Sequence, residues 1–262
     1  MKLVKNLFSN RKLILNLAKN DFKTKYAGSY LGIVWAFVQP VVTILVYWFV
    51  FQVGFRSGQP TQYPYVLVLV CGIIPWFFFS DALNGGSNSL LEYNYLVKKI
   101  VFNIDILPVI KVLSAMFVHI FFVVFTLILS ACYGYYPTFY TLQIVYYSVC
   151  TFILSLGIAY LTSAITVFFR DITQIINIIL QVGIWLTPIM WDINIIPPAF
   201  RMIFKLNPIY YVVNGYREAV LMRTGFWSNP LWTLYFWIVT IVMFVVGSSV
   251  FKKLKVHFAD VL

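Results

Sequence analysis

The sequence predicts an all-α, polytopic membrane protein of one domain (1–262). We expect six transmembrane helices, an N-terminal amphipathic helix and two re-entrant half-helices on the external side. Of its 262 residues, 61% are hydrophobic and only 10% are charged, and the mean hydropathy is +0.87. A soluble domain carries about 25% charged residues. The charged residues also leave apolar stretches long enough to cross a bilayer, which takes about 20 residues.

These apolar stretches define the six spans. They run between Lys25 and Arg56, Arg56 and Asp81, Lys111 and Arg170, Asp171 and Asp192, and Arg223 and Lys252. The third is long enough for two helices, and Gly134 and Pro137 supply a turn near its middle. The predicted spans lie at about 30–53, 64–83, 108–132, 141–168, 173–191 and 231–251. Asp171 stands at the expected N-cap of the fifth span.

The basic residues predict the orientation. Most of the 19 lysines and arginines fall near the two termini and between spans two and three, which an even number of spans puts on one side. Because cytoplasmic loops carry the excess of lysine and arginine, both termini are expected in the cytoplasm. The basic residues behind the net charge of +11 are therefore expected to contact membrane lipids, and nucleic-acid binding is not needed to explain this charge.

Two cytoplasmic segments are expected to lie on a surface. Residues 1–25 place apolar side chains at helical spacing with lysines between them, which is typical of an interfacial helix. The alternative is an ordinary positively charged flank. The connection 84–104 begins with the turn residues Asn84-Gly85-Gly86-Ser87 but is too apolar for a solvated linker. It predicts a short helix that lies against the membrane or a partner protein.

The external segment 192–229 is unusually apolar. Pro197-Pro198 and Asn207-Pro208 divide it into two pieces, each too short to cross a bilayer. Pro208 suits the first turn of the second piece. Such pieces dip into a leaflet and return only where protein covers their backbone ends. We therefore expect two half-helices in this segment.

Several kinds of chemistry lack the residues they need. The chain contains no Gly-x-x-x-x-Gly-Lys-Ser/Thr loop, so it cannot hydrolyse ATP by itself. With two histidines and with Cys71, Cys132 and Cys150 outside metal-ligand spacing, we expect no metal or cofactor in this chain. The eight acidic residues lie mostly at span ends, which disfavours a carrier driven by a buried carboxylate relay. The sequence therefore predicts no enzyme.

Polar and aromatic side chains single out spans one and five. Gln39-Pro40 stands at mid-depth of span one and indicates either a helix that lines a cavity or a kink satisfied by neighbouring helices. Aromatic residues form 19% of the chain. The aromatic side chains in or near spans one and five would provide flat surfaces along which sugar rings could pass. The alternative is an ordinary belt of aromatic residues at the membrane interface. They are Trp35, Tyr47, Trp48, Phe51 and Trp185.

Several motifs follow one another along the whole chain. They are Asp21-Phe22-Lys23-Thr24-Lys25-Tyr26, Gly72-Ile73-Ile74-Pro75-Trp76-Phe77-Phe78, Leu96-Val97-Lys98-Lys99-Ile100-Val101-Phe102, Arg170-Asp171, Thr187-Pro188-Ile189-Met190-Trp191, Asn207-Pro208 and Tyr216-Arg217. In this order they resemble the membrane subunits of ABC-2 type exporters of lipid-linked polysaccharides. Tyr47–Phe51, Arg56-Ser57 and Phe258-Ala259-Asp260 look most like the wall teichoic acid permeases of Gram-positive bacteria. Asn103 departs from the proline common in the family, which puts the geometry of the loop in doubt.

The resemblance implies a homodimeric permease of the type V exporter fold in the bacterial cytoplasmic (inner) membrane. Two copies of a cytoplasmic ATPase would bind ATP and Mg²⁺. Residues 1–25 would be the interface helix, and residues 84–104 would be the coupling loop on the ATPase, with Leu91, Glu92, Tyr95, Lys98 and Lys99. Spans one and five would wall the channel. The half-helices would form the external gate, with Pro197, Pro198, Asn207, Pro208, Tyr210 and Arg217.

The resulting hypothesis is export of an undecaprenyl-diphosphate-linked polymer, with wall teichoic acid the first candidate. O-antigen and capsular polysaccharide are the alternatives. Lys23, Lys25 and Arg170 would contact the lipid diphosphate at the inner mouth, because cations there meet two adjacent phosphates; their other interpretation is positive-inside flanking. A channel or scaffold without an ATPase, or an intramembrane transferase, would explain less of the sequence.

Overall fold

The computed structural model describes residues 9–54, 62–98 and 102–262, and it is helical throughout. The helices are α1 (Arg11–Lys25), α2 (Trp35–Trp48), α3 (Tyr65–Glu92), α4 (Asn94–Val97), α5 (Leu107–Cys132), α6 (Gln143–Thr166), α7 (Ile172–Leu186), α8 (Pro198–Lys205), α9 (Pro208–Arg217), α10 (Pro230–Leu254) and α11 (Phe258–Val261). A π-helical turn extends α2 through Phe49–Gly54, and another extends α9 through Glu218–Met222. The all-α prediction is confirmed.

Five helical segments of the described chain are long and apolar enough to cross a membrane. They are Gly32–Gly54, Tyr65–Glu92, Ile104–Cys132, Phe139–Thr166 and Pro230–His257. The fifth predicted span is shorter than the 173–191 expected, because α7 has 15 residues and a length of about 22 Å against a core of about 30 Å. The helix ends where Thr187, the residue before Pro188, turns to an extended backbone with ψ 126°.

Helix α3 forms the centre of the bundle. It packs against α5, α6 and α9, and its buried side chains extend over almost its whole length. One cluster of buried apolar side chains joins its first half to α6 and α9, and a second joins its last half to α1, α5 and α10. Helix α3 therefore positions the helices that form the candidate site.

The predicted start of the coupling loop at residue 84 is wrong. Residues 84–92 continue α3, and only the four-residue helix α4 breaks away after Tyr93. Gly86 faces Ala159 of α6 so closely that a Cβ on it would lie 2.6 Å from the alanine Cβ. The Ser87 hydroxyl bonds to the Leu83 carbonyl and to Thr162. The glycine therefore permits close helix packing and does not form a turn.

The prediction that the Asp171 side chain caps α7 is also wrong. Asp171 occupies the position before the helix, but its backbone is already helical and its side chain makes no capping hydrogen bond. The half-helices do occur where they were predicted, as α8 and α9. Asn207 caps α9, with its side-chain oxygen accepting from the Ile209 N–H at 3.1 Å.

Candidate functional site: cavities at the two ends of the bundle

An inner cavity of about 350 Å³ lies between the end of α1 and helices α2, α3 and α5. Its wall is mostly apolar and also carries several polar side chains. These include Gln39, Thr43, Asp81 and Asn84, and Lys25 stands among them. Gln39-Pro40 therefore lines a cavity, which was one of its two expected roles.

Lys25 and Asp81 form an ion pair at this inner cavity. Burial opposes the charge of Lys25, but the attraction of Asp81 outweighs it, so the pKa of the lysine is raised. The side chains of Lys25 and Asp81 remain 41% and 36% exposed, so a ligand can reach both. Lys23 and Arg170 are exposed and are not among the cavity's lining residues, and their predicted contact with the lipid diphosphate stays a prediction.

A buried polar cluster joins the inner cavity to the half-helix α9. His119 lines the cavity, and its Nε2 lies 2.9 Å from the Tyr216 hydroxyl and 3.0 Å from the Ser148 hydroxyl. The two hydroxyls are 2.7 Å apart. Because these three side chains bond to one another inside an apolar bundle, they tie α5, α6 and α9 together.

An outer cavity of about 570 Å³ lies at the other end of the bundle. It is enclosed by the π-helical end of α2, the start of α3, the segment after α7 and helix α9. Aromatic rings of Phe51, Tyr65 and Trp191 line it together with Tyr210 and Arg217. The predicted gate residues Tyr210 and Arg217 thus face one space.

Arg217 ties the parts of this outer end together. Its guanidinium donates to the carbonyl oxygens of Val68 at 3.2 Å, Pro188 at 2.8 Å and Ile189 at 2.7 Å. These carbonyls belong to α3 and to the segment where α7 has ended. The side chain is buried, so the three bonds satisfy a charge that burial would otherwise disfavour. Arg217 therefore holds the half-helix α9 in place, a role that its family motif did not reveal.

The other predicted gate residues lie at the starts of α8 and α9. Asn207 donates from its amide to the Thr187 hydroxyl at 2.9 Å, which fixes the start of α9 to the end of α7. Pro208 is the first residue of α9. Pro197 and Pro198 lie at the start of α8 with exposed rings.

The five predicted channel aromatics lie at different depths. Trp35 lines the inner cavity and Phe51 lines the outer one. The rings of Phe51 and Trp185 approach with centroids 6.5 Å apart, which brings the ends of α2 and α7 together. Tyr47 and Trp48 are half-buried between these levels. The role of the five side chains as a path stays a prediction.

The end of the bundle where α3 stops combines the predicted coupling residues with an ion-pair cluster. Leu91 and Glu92 end α3, whereas Tyr95 and Lys98 are exposed on and after α4. Lys99 lies outside the described residues. Lys111 of α5 bonds both to Glu92 and to Asp21 of α1, the latter at 2.6 Å.

Tyr93 completes this ion-pair cluster by donating to Asp21 at 2.7 Å. Burial and the bond to Asp21 raise the pKa of the Tyr93 hydroxyl, so it stays a donor. The cluster therefore fastens helix α1 to the ends of α3 and α5.

Sequence reasoning missed Asp81, His119 and Tyr216 as members of these sites. Asp81 and His119 carried a signal, because a lone titratable side chain inside an apolar helix needs a partner. Nothing in the spacing along the chain pairs Asp81 with Lys25 or His119 with Tyr216. Among the described residues, no group of three or more histidine, cysteine, aspartate or glutamate side chains is placed to hold a metal.

Long apolar helices, paired half-helices and cavities at both ends define a multi-pass membrane protein built around a central helix. Residues 12–221 match the model of the ABC-2 type transporter, and the chain belongs to this family.

The chain is also similar to individual exporters. It is 27% identical over 262 residues to the O-antigen export system permease protein RfbA of Myxococcus xanthus, with 99% of each chain covered. It is 25% identical over 251 residues to an RfbA of Klebsiella pneumoniae, with 95% of each chain covered. It is 24% identical over 237 residues to the polysialic acid transport protein KpsM of Escherichia coli, which covers 88% of this chain and 89% of that protein.

Proposed function

We propose that this chain is the permease subunit of an ABC transporter that exports a lipid-linked polysaccharide across the bacterial cytoplasmic membrane. Two copies would form the conduit, and two copies of a separate cytoplasmic ATPase would bind Mg²⁺ and hydrolyse ATP. Membership of the ABC-2 family and likeness to O-antigen and polysialic acid exporters over nearly the full chain support this assignment.

The observation that carries the proposal is the inner cavity, which combines a mostly apolar wall with the partly exposed Lys25. Its apolar wall suits an isoprenoid chain, and Lys25 stands where the diphosphate of a lipid carrier would arrive. At the other end, aromatic side chains of the outer cavity offer flat faces to sugar rings. A lipid-linked polymer has an apolar tail, a diphosphate and a chain of sugars. The apolar wall, Lys25 and the aromatic side chains of the outer cavity correspond to these three parts in turn.

The polymer itself is the finer part of the proposal. The named relatives act on O-antigen and polysialic acid, which favours a polysaccharide of this kind. Wall teichoic acid, suggested by short motifs, stays a candidate. Deleting the gene in its host and analysing which surface polymer disappears would decide between them.

The experiment that tests the proposal is purification of the tagged chain from its native host in a mild detergent, followed by mass spectrometry. We expect a soluble ATPase in a one-to-one ratio with the permease. A known ABC complex purified in parallel is the control. If that complex survives and this chain emerges alone, it acts without an ATPase, as a channel would.

A further inference from the structure

A second external cavity, which we call the outer cup, lies beside the outer cavity. Its walls come from α6, α8, α9 with its π-helical turn, α10 and the loop before α10. Its volume is about 140 Å³. A cavity of about 150 Å³ accepts one six-membered ring. The outer cup therefore fits a single ring whose substituents project through its opening.

The walls of the outer cup combine aromatic faces with hydrogen-bonding groups. Tyr210, Tyr211 and Trp232 contribute rings, and Asn214 and Glu218 contribute an amide and a carboxylate. An aromatic face is electron-rich, so it attracts the weakly positive C–H groups on one face of a sugar ring. The amide and carboxylate offer partners to hydroxyl groups at the ring's edge.

Glu218 is the polar centre of the outer cup. Asn214 donates to its Oε1 at 2.7 Å, and among the described residues this is the only hydrogen bond of the carboxylate side chain. Because the Asn214 amide is oriented by this bond, its carbonyl oxygen is left to accept another donor. Glu218 is half-buried, and this burial raises its pKa against the opposing effect of the Asn214 bond. Hydroxyl donors from a ligand would supply the missing partners.

The charges lining the outer cup favour a neutral ligand. Lys205 shares the cavity with Glu218, yet no ion pair joins them within the described part of the chain. Lys205 disfavours a cation such as a quaternary ammonium, which aromatic rings alone would attract. Glu218 disfavours a phosphate or carboxylate. A ligand that is neutral and both donates and accepts hydrogen bonds satisfies both side chains.

We propose that the outer cup binds one neutral pyranose ring of a saccharide. Tyr210 and Asn214 line the outer cup and the outer cavity alike, so a bound ring would touch the half-helix α9 from the side opposite the outer cavity. The inference does not require that this chain exports anything, since binding is measured on the purified protein. The ring could come from a passing polymer or from a free saccharide.

Saturation-transfer NMR on the full-length protein, in a detergent without a sugar head group, tests this proposal. The probes are methyl glycosides of glucose and N-acetylglucosamine, with choline and inorganic phosphate as decoys. We expect saturation of the ring protons by the wild-type protein. Glu218→Gln and Trp232→Leu should each weaken binding about tenfold or more, because each removes a principal contact.

Matched substitutions separate the outer cup from its neighbourhood. Asp192→Asn makes the same chemical change in the outer cavity, and Trp227→Leu removes an exposed tryptophan that does not line the cup. Both should leave binding at the wild-type level. Thermal melting and gel filtration verify that each variant is folded.

Three results would overturn the proposal. One is a folded wild-type protein that saturates none of the glycosides, and another is saturation of choline or phosphate alone. The third is equal binding by Glu218→Gln, Trp232→Leu and the control variants. Titration with an oligosaccharide of the host's own polymer distinguishes the source of the ring: tighter binding than the monosaccharides indicates the polymer, and equal binding a free saccharide.

Discussion

At the scale of single residues, the pairing of Lys25 with Asp81 gives the inner cavity an exchangeable cation. The two are 56 positions apart in sequence and meet because α1 packs beside α3 and α5. A partly exposed ion pair contributes about 1 kcal/mol or less. A diphosphate, with more charge and more acceptor oxygens, can therefore displace the carboxylate at small cost.

Replacing Lys25 by alanine should lower export more than replacing either Lys23 or Arg170, because only Lys25 lines the inner cavity. The measurement is surface polymer per unit of membrane-inserted permease. Asp81→Asn should strengthen retention of the lipid diphosphate by the purified protein, since it removes the competing carboxylate. Normal export by Lys25→Ala at normal protein level would remove Lys25 from the proposal.

Arg217 gives a prediction about stability. Arg217→Ala would leave three carbonyl oxygens without their donor, and we expect a loss of about 3 kcal/mol in the free energy of unfolding. Arg217→Lys should recover only part of this free energy, because a lysine ammonium cannot reproduce the planar arrangement of N–H donors in the guanidinium group. Thermal melting in detergent measures the change.

Arg201→Ala is the matched control for Arg217. Arg201 also donates to two backbone carbonyls, those of Asn194 and Ile196, but nearer the surface, where water can replace it. An equal fall in melting temperature for both variants would contradict the role assigned to Arg217.

At the scale of helices, glycines set the closest approaches. A Cβ on Gly247 of α10 would lie 2.2 Å from the carbonyl oxygen of Gly157 of α6. Backbones meet here without a side chain between them, as in other membrane helix pairs with small residues at their contact. These two glycines therefore fix the distance between α6 and α10.

Gly247→Ala should force α6 and α10 apart and lower the melting temperature. The control is Gly85→Ala in α3, where a Cβ would meet only the Lys111 side chain at 3.6 Å, an ordinary contact. That change should be neutral or stabilising, since alanine favours helix over glycine by about 1 kcal/mol. A Gly247→Ala protein as stable as Gly85→Ala would mean that the backbones can separate freely.

Charges, glycines and prolines differ in how well they predicted the structure. Charge-free stretches predicted the long helices well, because burial of charge in lipid is costly wherever it occurs. Asn84-Gly85-Gly86-Ser87 was misinterpreted as a loop, since glycine marks a turn in water and a close contact inside a membrane bundle. Pro197-Pro198 and Pro208 correctly predicted where the half-helices begin, whereas Pro40 and Pro75 lie inside helices. Pairs such as Lys25 with Asp81 depend on how distant helices pack, which a single sequence does not encode locally.

At the scale of the whole molecule, a single copy leaves apolar faces uncovered by protein on several helices, among them α2 and α7. Along α2 these are side chains such as Leu45 and Phe49, and along α7 they are Ile178, Ile179 and Trp185. Lipid can cover such faces, and so can a second copy. The proposed homodimer, with its channel between these helices, requires the second.

Cysteine crosslinking tests this arrangement. Ile178 of α7 and Ile128 of α5 are 60% and 59% exposed, so they differ in position but not in accessibility. In a Cys132→Ser background, where Cys71 and Cys150 are buried, Ile178→Cys should give a crosslinked dimer and Ile128→Cys should not. The reverse pattern would place the contact on the opposite side of the bundle.

The continuous helix α3 has a mechanical consequence. It is one helix of 28 residues, about 42 Å long, held at its C-terminal end through Glu92 and near its N-terminal end through the Val68 carbonyl, which accepts a hydrogen bond from Arg217. A displacement applied at one end must reach the other unless the helix flexes. Pro75 removes one hydrogen bond from the helix and is its natural point of compliance. The flexibility of α3 at Pro75 would therefore decide whether the inner cavity and the outer cavity move together or independently.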